Sequence, residues 1–236
     1  MHCNPEFMKY KHLFIDLDRT LYDFDKSTHD TFLELFDKFD LHNRNVPFDR
    51  FFELYKENNV ELWAQYREGK VTKKFLNVHR FDMTFNVFGI YDRAFAGRFA
   101  SDYLLNSPLK KALFPGVPEV LKYLQEKYTL HIITNGFDEV QKVKMEANDL
   151  NKFFTTITTS EEAQAKKPNK IIFDLALKKA KTKAEESLMM GDDIDVDILG
   201  ARNMGMDQVY CNYDRIPHNN EISFEIFQFS ELKKIL

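Results

Sequence analysis

The stretch Phe14-Ile15-Asp16-Leu17-Asp18-Arg19-Thr20-Leu21 decides how this chain is read. An apolar run from Leu13 to Ile15 is stopped by one carboxylate, and a second follows after a single leucine. A short apolar run ended by acids suits a buried parallel strand, expected here over 11–16. Two carboxylates so close at a strand end repel each other unless a cation lies beside them. The plain alternative is a solvated acidic turn. The chemical reading makes Asp16 a nucleophile and Asp18 a general acid/base, because carboxylates form covalent phospho-intermediates that divide one difficult displacement into two.

Working outward, four more segments read as strands: 129–134 with Leu130, Ile132 and Ile133, the β-branched run 155–159, 187–190 leading into Gly191, and 208–212. Between them, Val117, Val120, Leu121 and Leu124 recur at helical spacing, with Pro118 where a first turn accepts proline. Phe173, Ala176, Leu177 and Ala180 repeat the pattern after Pro168. Strands alternating with helices predict an α/β fold, a Rossmann-like parallel sheet covered on both faces. Ligands then bind beyond the carboxyl ends of the strands. Residues 24–106 break the alternation. Rich in Phe, Tyr, Leu and charge, they are expected to form an all-helical cap inserted into a core made of 8–23 and 107–236. An edge strand and a short closing helix are expected over 222–236.

Three other segments carry polar groups at expected strand ends. Thr134-Asn135-Gly136 offers a hydroxyl, an amide and a closely approachable backbone, suited to holding oxyanions. The bland alternative is an ordinary capped turn. Lys167, just before Pro168, can neutralise charge on a transferring phosphoryl group, although most lysines are simply solvated. Asp192, Asp193, Asp195 and Asp197 crowd like charges together, which favours a bound cation. A calcium loop is excluded, since Ile198 stands where glycine is required and Met204 where the bidentate glutamate belongs. A magnesium site with one or two carboxylates fits better, Asp192 being the preferred direct ligand.

Composition narrows the classes. Hydrophobic residues at 44% and charged residues at 30% describe a soluble globular chain. A net charge of -4 argues against nucleic acid polymers as partners. No apolar run is long enough to span a membrane. Two cysteines, Cys3 and Cys211, make no disulfide framework and, with no secretory signal at the start, suggest a cytoplasmic protein. The polar segment 1–7 is given no function.

Taken in order, Asp16-Leu17-Asp18-Arg19-Thr20, Thr134-Asn135, Lys167-Pro168 and Gly191-Asp192 with Asp197 resemble the four motifs of the haloacid dehalogenase (HAD) superfamily. The resemblance implies the HAD fold with a helical cap after the first motif. It also implies a magnesium-dependent phosphomonoesterase: Asp16 attacks phosphorus and binds the metal, and Asp18 serves the leaving oxygen and offers its carbonyl to the metal. Thr134, Asn135 and Lys167 would hold the phosphoryl group, Asp192 would complete the metal site, and Asp197 would support it. The family's dehalogenases lack an acid at the position of Asp18, so phosphatase chemistry is favoured.

Closer phrases resemble the YjjG/YfnB pyrimidine 5'-nucleotidases: Ile133 to Phe137, Lys167 to Phe173, and Leu62-Trp63 with Tyr66. That resemblance implies a nucleoside monophosphate as the small-molecule substrate, with Trp63 or Tyr66 stacking on a base and Tyr22 lining the pocket. Most cap aromatics at helical spacing are instead expected to be cap core. Arg19, and the lack of a glycine in Ser160–Gln164, depart from the subfamily and bear on substrate identity. A phosphatase for a small metabolite such as phosphoglycolate or a sugar phosphate is the alternative. A silent binding domain would lack one of the motif residues, and none is missing.

Overall fold

The chain was analysed as a computed structural model, which describes residues 9–236; Cys3 and the segment 1–7 lie outside the described residues. It divides into two compact units, one of Asp25–Lys110 and one of the residues up to Phe24 together with Lys111–Leu236. β1 (His12–Ile15) opens the second of these, and four helices follow: α1 (Phe24–Lys38), α2 (Phe48–Arg67), α3 (Lys73–Val87) and α4 (Arg93–Asn106). Then come α5 (Val117–Gln125), β2 (Thr129–Thr134), α6 (Asp138–Ala147), β3 (Phe154–Thr159), α7 (Ser160–Ala163), α8 (Lys170–Ala180) and β4 (Ser187–Gly191). α9 (Leu199–Asn203), β5 (Asp207–Cys211), β6 (Phe224–Ile226) and α10 (Leu232–Ile235) complete the chain.

The six strands form one parallel sheet in the order β3-β2-β1-β4-β5-β6. β1 lies near its middle, with Ile15 aligned to Ile132 on one side and Met190 on the other. Alternation along β1 explains its unbroken apolar run, because both faces are covered. Leu13 and Ile15 pack with Val120, Leu121 and Leu124 of α5. Phe14 faces the opposite layer, with Ile172, Phe173 and Ala176 of α8 and Ala201 of α9. The fold is therefore the expected α/β Rossmann-like core.

The other unit is held by aromatic packing among its four helices. Phe32 of α1 meets Tyr55 of α2 edge-on at 4.7 Å, and Phe85 of α3 meets Phe99 of α4 at 5.1 Å. Such edge-to-face contacts add to the burial of the rings. α3 and α4 begin on side-chain caps: the Thr72 hydroxyl accepts from Phe75 N, and Asp92 Oδ1 accepts from Ala94 N and Phe95 N. Among the described residues no helix is long and apolar enough to cross a membrane.

Where the helical stretch leaves and rejoins the sheet-bearing unit, the two chain segments are stitched together. Asp23 N donates to Ala112 O at 2.7 Å, Phe114 N donates to Leu21 O at 3.0 Å, and Tyr22 pairs antiparallel with Leu113.

Candidate active site

Three neighbouring strand ends bring the first groups together. Asp16 follows β1, Thr134 closes β2, and Gly191 closes β4 with Asp192 just beyond. Asp16 N donates to Met190 O at 2.9 Å, which fixes the turn out of β1 against β4. Lys167 arrives from the loop between α7 and α8 and is only 1% exposed. Its Nζ lies 2.6 Å from Asp16 Oδ1 and donates to Ile133 O at 2.9 Å.

Asn135 places that lysine. Its Oδ1 accepts from Lys167 N at 2.7 Å and its Nδ2 donates to Lys167 O at 3.0 Å. Ser160 Oγ in turn donates to Asn135 O at 3.1 Å. One Nδ2 hydrogen of the amide is left for another acceptor.

Three carboxylates, of Asp16, Asp192 and Asp197, bring oxygens within 4.8 Å of one another. Asp197 comes from the single π turn Ile194–Ile198, which Asp193 caps by accepting from Asp195 N and Val196 N at 3.0 Å each. Gly191 is required for this closeness, since a Cβ there would meet Asp197 Oδ2 at 2.2 Å. Burial pushes all three carboxyls up from the ordinary aspartate range; the charge of Asp197 adds to it at Asp16 and Asp192, and that of Asp193 adds to it at Asp197. Burial alone would lower the Lys167 ammonium, but the charges of Asp16 and Asp197 outweigh it and hold it raised.

Lys167 thus pairs with two of the three carboxylates, and the Arg19 charge partly offsets the third, Asp192. Asp197 Oδ1, although 2.6 Å from Lys167 Nζ, makes no well-directed hydrogen bond and is otherwise unpartnered. An all-oxygen donor set with excess negative charge fits a hard divalent cation such as magnesium.

The carboxyl of Asp18 is not part of that group. Gln141 Nε2 donates to its Oδ2 at 2.8 Å, and Lys144 Nζ donates to its Oδ1. The same Gln141 Nε2 donates to Thr134 Oγ1 at 2.8 Å, and Gly136 N donates to that hydroxyl at 3.1 Å.

Residues 13–211 match the family described as haloacid dehalogenase-like hydrolase. This chain belongs to that family. The hydrolase is 31% identical over 238 residues to the pyrimidine 5'-nucleotidase YjjG of Escherichia coli, covering 97% of this chain and 99% of that protein. It is 31% identical over 208 residues to a glyceraldehyde 3-phosphate phosphatase of Pyrococcus furiosus, covering 88% and 82%. Its fold superposes on the magnesium-bound crystal structure of the HAD-hydrolase YfnB of Bacillus subtilis with a TM-score of 0.86 at 26% identity, covering 97% and 99%.

Within the hydrolase, Asp16, Asp18, Thr134, Asn135, Lys167, Asp192 and Asp197 all lie in the sheet-bearing unit. Tyr22 lies there too, fully buried in the core, with Lys144 Nζ 4.9 Å from its ring centroid. Trp63 and Tyr66 belong to α2 of the helical unit, partly buried and edge-on to each other at 5.6 Å. Sequence reasoning missed Gln141 and Lys144. Their spacing with Met145 on the buried side of α6 was the available signal, since polar side chains stand there where apolar ones are expected.

Proposed function

We propose that this hydrolase is a magnesium-dependent phosphomonoesterase working through a phosphoryl intermediate on Asp16. The observation that carries the reading is Asp18, a carboxyl two residues from Asp16 with a hydrogen-bond donor on each oxygen. A carbon–halogen cleavage has no use for such a group, whereas a departing alkoxide needs its proton.

In this reading an Asp16 oxygen forms a bond to phosphorus as the bond to the leaving oxygen breaks. The Asp18 proton passes to that oxygen, and the alcohol departs. Asp18 then takes a proton from water as the water oxygen attacks phosphorus, releasing phosphate and restoring both carboxyls. Lys167 neutralises charge on the phosphoryl oxygens, and Thr134 and Asn135 border the same space. Asp16, Asp192 and the Asp18 carbonyl would hold magnesium, with Asp197 in support. When bound, the ion supplies charge neutralisation and a template.

The substrate we assign is a nucleoside monophosphate, pyrimidine before purine. The likeness to YjjG over nearly the whole chain supports this. Residues 24–106 would act as the cap, with Trp63 and Tyr66 offered to the base and Tyr22 behind the nucleophile loop. A second reading, a phosphatase for a small phosphorylated metabolite, has its own support in the likeness to the Pyrococcus phosphatase.

Phosphate release with magnesium from UMP, dUMP, TMP, purine nucleotides, phosphoglycolate and sugar phosphates tests both. Preference for pyrimidine nucleotides is the expected result. Preference for the small metabolites would transfer the assignment to the second reading, and no release at all would overturn the chemistry.

A further inference from the structure

The two donors on Asp18 come from one helix, three residues apart, and both are out of solvent. Gln141 is buried, and the Lys144 side chain is 4% exposed. The Asp18 side chain keeps 29% of its surface open. Burying a lysine ammonium and a carboxamide is costly unless each finds a partner. A core that wanted only packing at these two positions of α6 would place apolar residues there.

Local construction serves the same contact. The Gln141 carboxamide crosses the place where a Cβ on Gly136 would stand, with Nε2 only 2.0 Å from it. No alanine fits there without moving that side chain. The amide orientation follows from Asp18 Oδ2 acting as acceptor here, which must meet the NH₂ end. Gln141 Oε1 is then buried with no partner, a cost accepted in order to aim Nε2 at Asp18 and Thr134. The Lys144 ammonium rests against the rings of Tyr22 and Phe24 at 4.9 and 5.5 Å, which limits where else it can go.

We propose that Gln141 and Lys144 are positioning residues for Asp18, gripping one carboxyl oxygen each so that the remaining lone pairs point at the leaving-group oxygen. This rests on the phosphatase reading above and deepens it. Each carboxyl oxygen has two acceptor sites, so a donor on each still leaves one for proton exchange. The step itself is unchanged: the Asp18 O–H bond breaks as the ester oxygen leaves phosphorus, and the proton goes to that oxygen. The grip lowers the number of orientations to be lost before transfer, which is where a misplaced acid costs rate.

The test compares two esters in each variant. Nitrophenolate leaves without a proton, whereas an alkyl phosphate needs one, so in kcat/KM, which reports phosphorylation of Asp16 and not the later attack of water, only the second depends on where Asp18 points. Gln141→Leu and Lys144→Met are expected to lower kcat/KM for the best alkyl monophosphate by about 10- to 100-fold, with little change for p-nitrophenyl phosphate. Gly136→Ala, which displaces Gln141 without altering it, should give the same change in the ratio. Lys144→Arg should restore part of it. The ratio of two substrates within one sample does not depend on how much of the sample is folded. Equal losses on both esters would overturn the positioning role and leave the phosphatase reading standing. No hydrolysis of either ester by the unsubstituted protein with magnesium would overturn that reading and this one together.

Discussion

Asn135 grips Lys167 by its main chain, accepting from the lysine N–H at 2.7 Å and donating to its carbonyl at 3.0 Å. The two segments are 32 residues apart in sequence, and this pair of bonds decides where the lysine ammonium ends up. Asn135→Asp keeps the acceptor but turns the donor into a second acceptor facing a carbonyl. Asn135→Ala removes both. Each is expected to lower kcat by roughly 10- to 100-fold, from misplacement of the lysine, with the aspartate variant the less stable of the two in thermal melts. Unchanged turnover in both would show that Lys167 needs no such support.

Asp16 carries the proposed covalent step, so its loss should be severe. Asp16→Asn is expected to reduce turnover on the order of 10^5-fold or more, as removal of a nucleophile does. Stopped-time assays on the best substrate, with melting curves to show a folded variant, check this. Retained activity would remove Asp16 from the mechanism.

The three-carboxylate group predicts a conflict between stability and activity. In chelator, Asp192→Asn should melt higher than the unsubstituted protein, by about 1 kcal/mol, because one of the crowded charges is gone. Magnesium at a hundredfold over its Kd should stabilise the unsubstituted protein by about 2.7 kcal/mol and the variant by much less. Phosphatase activity should fall in the variant. Equal magnesium stabilisation of both proteins would take Asp192 out of the metal site.

His131, buried within β2, predicts an acid-side loss of stability. Burial pushes its imidazole down from 6.5 to about 4, and the adjacent His12 adds to the shift. Its two ring nitrogens lie 3.0 Å from His12 Nδ1 and 2.8 Å from Thr156 Oγ1, with the Phe14 ring stacked at 4.8 Å. The unfolded chain therefore binds one more proton between those pH values. Stability is fully present above 6.5 and is lost as pH falls toward 4, at up to about 1.4 kcal/mol per pH unit. Melting curves from pH 7 to 4.5 should show this slope, and His131→Gln should flatten it.

Much of this was legible beforehand because the sheet writes itself in apolar runs. Leu13 to Ile15 had to be buried on both faces, and the alternation of Leu13 and Ile15 against Phe14 across two hydrophobic layers is the physical reason. The helical character of the inserted stretch followed from its lack of any strand-like run. What stayed hidden was long-range. Gln141 and Lys144 reach Asp18 from 123 and 126 residues away, and nothing near Asp18 announces them. The amide of Asn135, expected beside the phosphoryl group, spends most of its capacity on the lysine loop. The acidic run hides a π turn, since Asp193 caps what reads as a loop and Asp197 is buried while Asp195 is exposed.

The stitch between Leu21–Asp23 and Ala112–Phe114 has a consequence for how such a molecule can change over time. An insertion that departs and returns through adjoining backbone bonds asks nothing of the sheet except two anchoring residues' worth of pairing. Lengthening, shortening or exchanging the helices between those points leaves every strand register untouched. The helical unit and the strand ends that carry Asp16 and Asp192 can therefore drift at separate rates.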